Sequence, residues 1–257
     1  MSTWDGQEQI LANVARVFPD RRIVVIGAVA VAHHLRPFRG TYDLDLCVAI
    51  DAEEHARIAL PPGWSRDQRM PHRWRTDTGG IIDVVPAADP LLQAGRVVWP
   101  DGSILDLAGI EVAMQDAIRL VGAPSNVHVA TLRALFLCKV VAWLDRPAER
   151  RRDLGDVALM LDRYVAEDDP RLFDDPSLDP EREFDERASF LLGIDLQAVS
   201  GPPHRQRIES FASLVANEDR PQHAAMLALA PLHWQREPEA IARRMTALLD
   251  GLRHQAG

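Results

Sequence analysis

The pattern of apolar and polar positions divides the chain into a first half that alternates strands with helices and a second half that is helical. Short β-branched runs predict strands, and apolar positions three or four apart predict helices. In the first half the predicted elements are helix 7–18, strand 22–26, helix 28–35, strand 43–50, helix 53–59 and strand 81–85. This order predicts a small mixed α/β sheet.

From about Ala130 onward the spacing of apolar residues is helical throughout. The predicted helices are residues 131–144, 148–164, 180–192, 204–216, 222–229 and 238–252. An acidic, proline-interrupted stretch between them, residues 167–183, has the composition of a surface connection. We therefore expect an α/β (α+β) domain over residues 1–125 and an all-helical domain over residues 126–257.

The second predicted strand carries two carboxylates, Asp43 and Asp45, on one face. Side chains alternate along a strand, so both point the same way while Leu44 points into a core. Two like charges roughly 6 to 7 Å apart need a counter-cation, and both can reach one hard cation such as Mg²⁺. A third carboxylate, Asp83, interrupts the otherwise apolar third strand. The pattern indicates a metal-binding face.

Lys139 falls inside the apolar stripe of the predicted helix 131–144. Burying an unpaired ammonium is costly, so this lysine either reaches water along its stem or faces an anion in a cleft, for which a nucleoside triphosphate would serve. On the next helix Asp153 and Asp156 are three residues apart and share a face. They could hold Lys139, a metal or a substrate hydroxyl in place.

Composition and charge limit the classes of partner that we expect for this protein. The net charge of −9 over 257 residues disfavours a broad electrostatic grip on nucleic acid, but it leaves a local basic patch open. The longest apolar run, residues 23–32, is about half of a membrane span, and the polar start is unlike a signal peptide. We expect a cytoplasmic protein with no membrane partner.

A group of cations surrounds one aromatic ring just before the third predicted strand. Its members are Arg66, Arg69, His72, Arg73, Trp74 and Arg75. Such a segment suits phosphate contacts and base stacking on an acceptor nucleic acid. The alternative is a surface loop with one buried tryptophan.

Taken in order, these residues resemble the signature of the polymerase-β-like nucleotidyltransferases. The matching positions are Gly27-Ala28-Val29-Ala30, His34-Leu35, Arg39, Thr41, Asp43-Leu44-Asp45 and Asp83. One departure is that Ala28 stands where the family usually has a second Gly or a Ser, so a serine hydroxyl contact to phosphate is absent.

Two downstream segments resemble one particular family within this group. Residues 139–146, which begin with Lys139, and residues 152–156 are similar to segments of the AbiEii/AbiGii-type nucleotidyltransferase-like proteins, which include toxins of bacterial toxin–antitoxin pairs. The resemblance covers roughly residues 22–164. It implies an NTP as co-substrate, and an antitoxin as a possible partner.

The resemblance implies catalytic roles for five residues. Asp43 and Asp45 would hold two Mg²⁺ (or Mn²⁺) ions, one bridging the phosphates of an NTP and the other lowering the pKa of the acceptor hydroxyl. Asp83 would be a shared metal ligand or a general base. Lys139 and Asp153 are the further catalytic candidates. The reaction would be in-line transfer of a nucleoside monophosphate to an acceptor hydroxyl with release of pyrophosphate.

The resemblance also implies a triphosphate-binding set. Gly27 would let phosphates approach the backbone N–H groups of the helix that begins at Ala28. Arg39 and Lys139 would neutralise the triphosphate, and Thr41 could donate a hydrogen bond. The helical domain would complete the cleft for nucleotide and acceptor.

The acceptor is left open by the sequence. Toxin-type relatives modify tRNA, which favours a tRNA end, whereas the acidic charge favours a cationic small molecule and an aminoglycoside-type adenylyltransferase. A protein hydroxyl is a third acceptor. A non-catalytic module that binds a nucleotide or a partner is the alternative from another class.

Overall fold

The computed structural model describes residues 7–36, 41, 43–237 and 239–254. It contains two compact units, Met1–Leu135 and Phe136–Gly257. The first unit extends beyond the expected boundary at residue 125, because the strand Val127–Ala130 belongs to its sheet.

The first unit is built around a mixed sheet of seven strands. In chain order these strands are β1 (Ile23–Ile26), β2 (Asp43–Val48), β3 (Ser65–Arg66), β4 (Arg73–Arg75), β5 (Ile81–Pro86), β8 (Ala117–Arg119) and β9 (Val127–Ala130). The two strands between β5 and β8, β6 (Arg96–Val98) and β7 (Ile104–Asp106), pair with each other in a separate two-stranded sheet. The spatial order of the large sheet is β3-β4-β5-β2-β1-β9-β8. Among the described residues of this unit, the helices that accompany the strands are α1 (Glu8–Val17), α2 (Gly27–His34), α3 (Ala52–Arg57), α4 (Asp89–Ala94) and α5 (Ile110–Gln115).

The centre of the sheet combines both strand directions. β2 is antiparallel to β1 and parallel to β5, and β4 returns antiparallel to β5. Buried residues alternate with half-exposed ones along the whole of β5 and over residues 43–46 of β2, with Leu44, Leu46, Ile82 and Val84 in the core, whereas the last two residues of β2 are both buried. This period of two explains why these segments form strands with one face turned away from the core.

In the second unit, all the regular elements that the structure describes are helical. They are α6 (Leu132–Asp145, which begins in the first unit), α7 (Arg151–Arg163), α8 (Arg171–Asp174), α9 (Phe184–Val199), α10 (Pro202–Val215), α11 (Pro221–Leu227), a 3₁₀ turn (Trp234–Arg236) and α12 (Ala240–Arg253). The predicted fold class, an α/β sheet region followed by helices, is confirmed.

Two glycines allow α9 and α12 to pack closely. A Cβ at Gly193 would lie 2.8 Å from the backbone N of Leu252, and a Cβ at Gly251 would lie 3.0 Å from the backbone N of Ile194.

Every helix among the described residues is too short or too polar to span a lipid bilayer.

Candidate active site

Three aspartates lie on the half-exposed face of the sheet. In the parallel pairing of β2 with β5, Asp45 is opposite Asp83 and Asp43 is opposite Ile81. Residues in register on adjacent strands point to the same face and are about 5 Å apart. Asp43, Asp45 and Asp83 therefore share one face.

Gly27 connects this face to the start of α2. Its φ is +68°, in the left-handed region, and a Cβ at this position would lie 2.7 Å from Cγ of Asp45. Only glycine fits here, because any side chain would meet the carboxylate. The backbone N–H groups of the first turn of α2, which have no partner within the helix, thus begin beside Asp45.

A cation already faces the carboxylates. Arg73 on β4 is opposite Asp83 in the antiparallel pairing with β5, and it donates from Nε to Oδ1 (2.8 Å) and from Nη2 to Oδ2 (2.7 Å). The hydrogen bond to Asp83 raises the pKa of Arg73 against the effect of burial, and the charges of Asp83, Asp43 and Asp45 raise it further. Arg73 is therefore a counter-ion of the whole acidic face.

The donor set fits a hard cation in part. Asp43 and Asp45 offer carboxylate oxygens from one strand, which is the chemistry that Mg²⁺ and Mn²⁺ prefer. Both oxygens of Asp83 accept from Arg73, and among the described residues no three His, Cys, Asp or Glu side chains are grouped to hold one metal ion. The role of Asp83 as a third metal ligand stays a prediction.

The predicted triphosphate ligands are only partly placed. Arg39 lies outside the described residues, and Thr41 is half-exposed two residues before β2 begins. Ala28 is buried, so it would contribute its backbone N–H to a phosphate. The phosphate-binding roles of all three stay predictions.

Lys139 is buried in the second unit with two carboxylates around its ammonium. Nζ lies 2.8 Å from Oδ1 of Asp153 and 2.6 Å from Oδ2 of Asp156, and the three side chains are at most 11% exposed. Burial disfavours the charged form, but the two carboxylates outweigh it and raise the pKa of Lys139. Of the alternatives that the sequence left open, the structure contains the one in which Asp153 and Asp156 hold Lys139; a catalytic or triphosphate-binding role stays a prediction.

The cationic segment forms a hairpin instead of an exposed stacking surface. Trp74 is fully buried and stacks on Phe18 with ring centroids 6.0 Å apart, so of the two alternatives the buried tryptophan is the one found, and Trp74 is not available to stack on a base. Three of the segment's arginines donate hydrogen bonds within the protein: Arg66 to the carbonyls of His55 and Ile58, Arg73 to Asp83, and Arg75 to Asp67.

Arg73 is the site residue whose role sequence reasoning missed. A partial signal was available in the alternation of Arg73-Trp74-Arg75, followed by the turn residues Gly79-Gly80 and then by β5. This pattern is compatible with a hairpin, but three residues are too few to set its register, so the sequence alone does not place Arg73 beside Asp83.

The fold and the site together consist of a mixed sheet with an acidic face, which lies beside a strand–glycine–helix turn. No protein-family model matches the chain. No curated protein matches it either. Among solved structures the chain is similar to an antigenic nucleotidyltransferase-like protein from Paracoccidioides brasiliensis, with a TM-score of 0.41 and 13% identity over 61% of this chain and 76% of that one. A likeness this weak carries no assignment, and the AbiEii/AbiGii-type resemblance stays a hypothesis.

Proposed function

We propose that this protein is a metal-dependent nucleotidyltransferase, which moves a nucleoside monophosphate from an NTP to an acceptor hydroxyl and releases pyrophosphate. One observation supports this most directly. The carboxylates of Asp43 and Asp45 share a sheet face, and Asp45 packs against Gly27 at the start of α2. Carboxylates and helix N–H groups at one place suit a divalent cation and a phosphate chain together.

Different residues would bind the cation and the phosphates. Asp43 and Asp45 would hold Mg²⁺ or Mn²⁺, which when bound would neutralise charge on the phosphates. The absence of a side chain at Gly27 would let a phosphate approach the N–H groups of the first turn of α2. The chain would thus hold the α-phosphorus in line between the acceptor hydroxyl and the leaving pyrophosphate, so catalysis would rest on positioning and electrostatics.

The acceptor is proposed at the level of its class. The resemblance to toxin-type proteins supports a tRNA end, and with it a toxin function that an antitoxin would counter. The net charge of −9 supports a cationic small molecule of the aminoglycoside kind. We place the tRNA end first, because its support comes from ordered motifs, whereas net charge carries no information about a particular cleft.

Transfer of a labelled nucleotide tests the proposal. Purified protein with Mg²⁺ or Mn²⁺ is incubated with each α-phosphate-labelled NTP and a cell extract, and label is sought in RNA, protein and small molecules. We expect label in one fraction, and we expect Asp43→Asn and Asp45→Asn to abolish it. Asp20→Asn, in an exposed turn of the same unit, is the matched control and should transfer label normally.

Binding measured without turnover separates the enzyme from the silent module. Calorimetry with each NTP, with and without Mg²⁺, is run beside a pyrophosphate-release assay. NTP binding that depends on Asp43 but never yields pyrophosphate would favour a nucleotide-binding module. Transfer undiminished in Asp43→Asn would refute the proposed site altogether.

A further inference from the structure

The acidic face contains its own positive charge. Arg73 and Asp83 form two parallel hydrogen bonds of 2.8 and 2.7 Å, the fork-to-fork geometry in which a guanidinium binds a carboxylate most strongly. The pair is largely shielded from water, with side-chain exposures of 20% for Arg73 and 14% for Asp83. Shielding strengthens such a pair, because water screens it less.

The strand position of Asp83 differs from that of the other two carboxylates. Asp43 and Asp45 belong to one strand, whereas Asp83 faces β4 on its other side, where Arg73 is its direct cross-strand partner. A divalent cation that used Asp83 would need an oxygen that now accepts from Arg73, and it would lie against a guanidinium of like charge. Both effects oppose a second cation at this position.

We propose that Arg73 takes the place of a second divalent cation, so that the site binds a single one, through Asp43 and Asp45. This inference rests on the proposed function and concerns how its charge is supplied. Arg73 is then a positioning residue: it holds Asp83 and keeps the acidic face partly neutral before any cation binds. Removing its charge should open Asp83 to a second cation.

The test counts bound Mn²⁺ by electron paramagnetic resonance, using the protein without nucleotide. Wild type is compared with Arg73→Gln, with Asp83→Asn, with the double variant Arg73→Gln/Asp83→Asn and with Asp43→Asn. Arg75→Gln is the matched control, since Arg75 lies on the same strand two residues further along and pairs with Asp67. Circular dichroism confirms the fold of each variant.

We expect about one Mn²⁺ per chain in wild type, Asp83→Asn and Arg75→Gln, about two in Arg73→Gln, and about one again in the double variant. Two Mn²⁺ in wild type, one of them lost in Asp83→Asn, would overturn the inference and leave the proposed function standing. A count that Asp43→Asn does not lower, or no binding at all, would overturn both. If Arg73→Gln does not fold, the comparison of wild type with Asp83→Asn still decides.

Discussion

Replacing Lys139 by methionine distinguishes a structural lysine from a phosphate-binding one. The substitution keeps a long apolar stem and removes the ammonium that Asp153 and Asp156 contact at 2.8 and 2.6 Å. Two carboxylates would then stay buried next to each other without a cation. Because breaking a buried ion pair costs roughly 3 to 5 kcal/mol, we expect Lys139→Met to lower the free energy of unfolding by about 4 kcal/mol at neutral pH.

Urea unfolding followed by tryptophan fluorescence provides the measurement. Trp143 on α6 packs edge-on against Phe211 on α10, with ring centroids 5.3 Å apart, and is one of the six tryptophans of the chain that contribute to this signal. A second variant, Lys139→Met/Asp156→Asn, should recover part of the loss, because it removes one of the two like charges; the double-mutant cycle measures the coupling. Arg146→Met is the control: that arginine makes an exposed ion pair with Asp145, worth at most about 1 kcal/mol.

NTP binding by the same variants completes the comparison. A structural Lys139 predicts that Lys139→Met, under conditions where it stays folded, binds NTP with nearly the affinity of wild type. The reasoning is refuted if Lys139→Met loses less than about 1 kcal/mol of stability and no longer binds NTP. Lys139 would then be a triphosphate ligand, as the sequence resemblance implies.

Three further predictions concern single residues. Burial lowers the pKa of His55 from 6.5 to about 4. Between these pH values the unfolded chain binds a proton that the folded chain does not bind, so the free energy of unfolding falls as the pH falls through this window, by up to about 1.4 kcal/mol per pH unit. His55→Leu should remove this component from unfolding curves at pH 4 to 7. Gly27→Ala should lower the free energy of unfolding by at least about 1 to 2 kcal/mol, because its φ of +68° alone is unfavourable for alanine. The contact of the new Cβ with the Asp45 carboxylate adds to this loss and should weaken Mn²⁺ binding in calorimetry by displacing Asp45. Gly193→Ala should lower the unfolding free energy by about 1 to 3 kcal/mol, because its methyl group would lie 2.8 Å from the backbone N of Leu252.

Each of these has an outcome that contradicts it. Equal pH dependence of wild type and His55→Leu would mean that His55 titrates near its ordinary pKa. Unchanged Mn²⁺ affinity in Gly27→Ala would remove Asp45 from the cation site. For the contact between α9 and α12, Gly201→Ala is the control, since its methyl group would meet only Cδ of Pro203 at 3.8 Å. If Gly193→Ala and Gly201→Ala lowered the free energy of unfolding equally, α9 and α12 would be able to move apart without cost.

The sequence predicted the longer strands best. Alternation over residues 43–46 and the apolar run after it predicted strand 43–50, and the apolar, β-branched run around Asp83 predicted strand 81–85. These bounds agree closely with β2 (Asp43–Val48) and β5 (Ile81–Pro86). Short strands were missed: Arg73-Trp74-Arg75 spans three residues, too few for alternation to stand out from a loop. The basic character of that segment left two alternatives open, an acceptor-binding surface or a loop with one buried tryptophan, and the structure has Trp74 in the core.

By itself the sequence determined that one strand presents Asp43 and Asp45 on a common face and that a glycine turn precedes a helix, because these features depend on neighbours along the chain. Only the tertiary structure decided which charges meet. The register of β4 on β5 places Arg73 on Asp83, and the packing of α6 with α7 encloses Lys139 between two aspartates. Ion pairs between distant segments depend on strand register and helix packing, and the apolar core, not the charges, sets those.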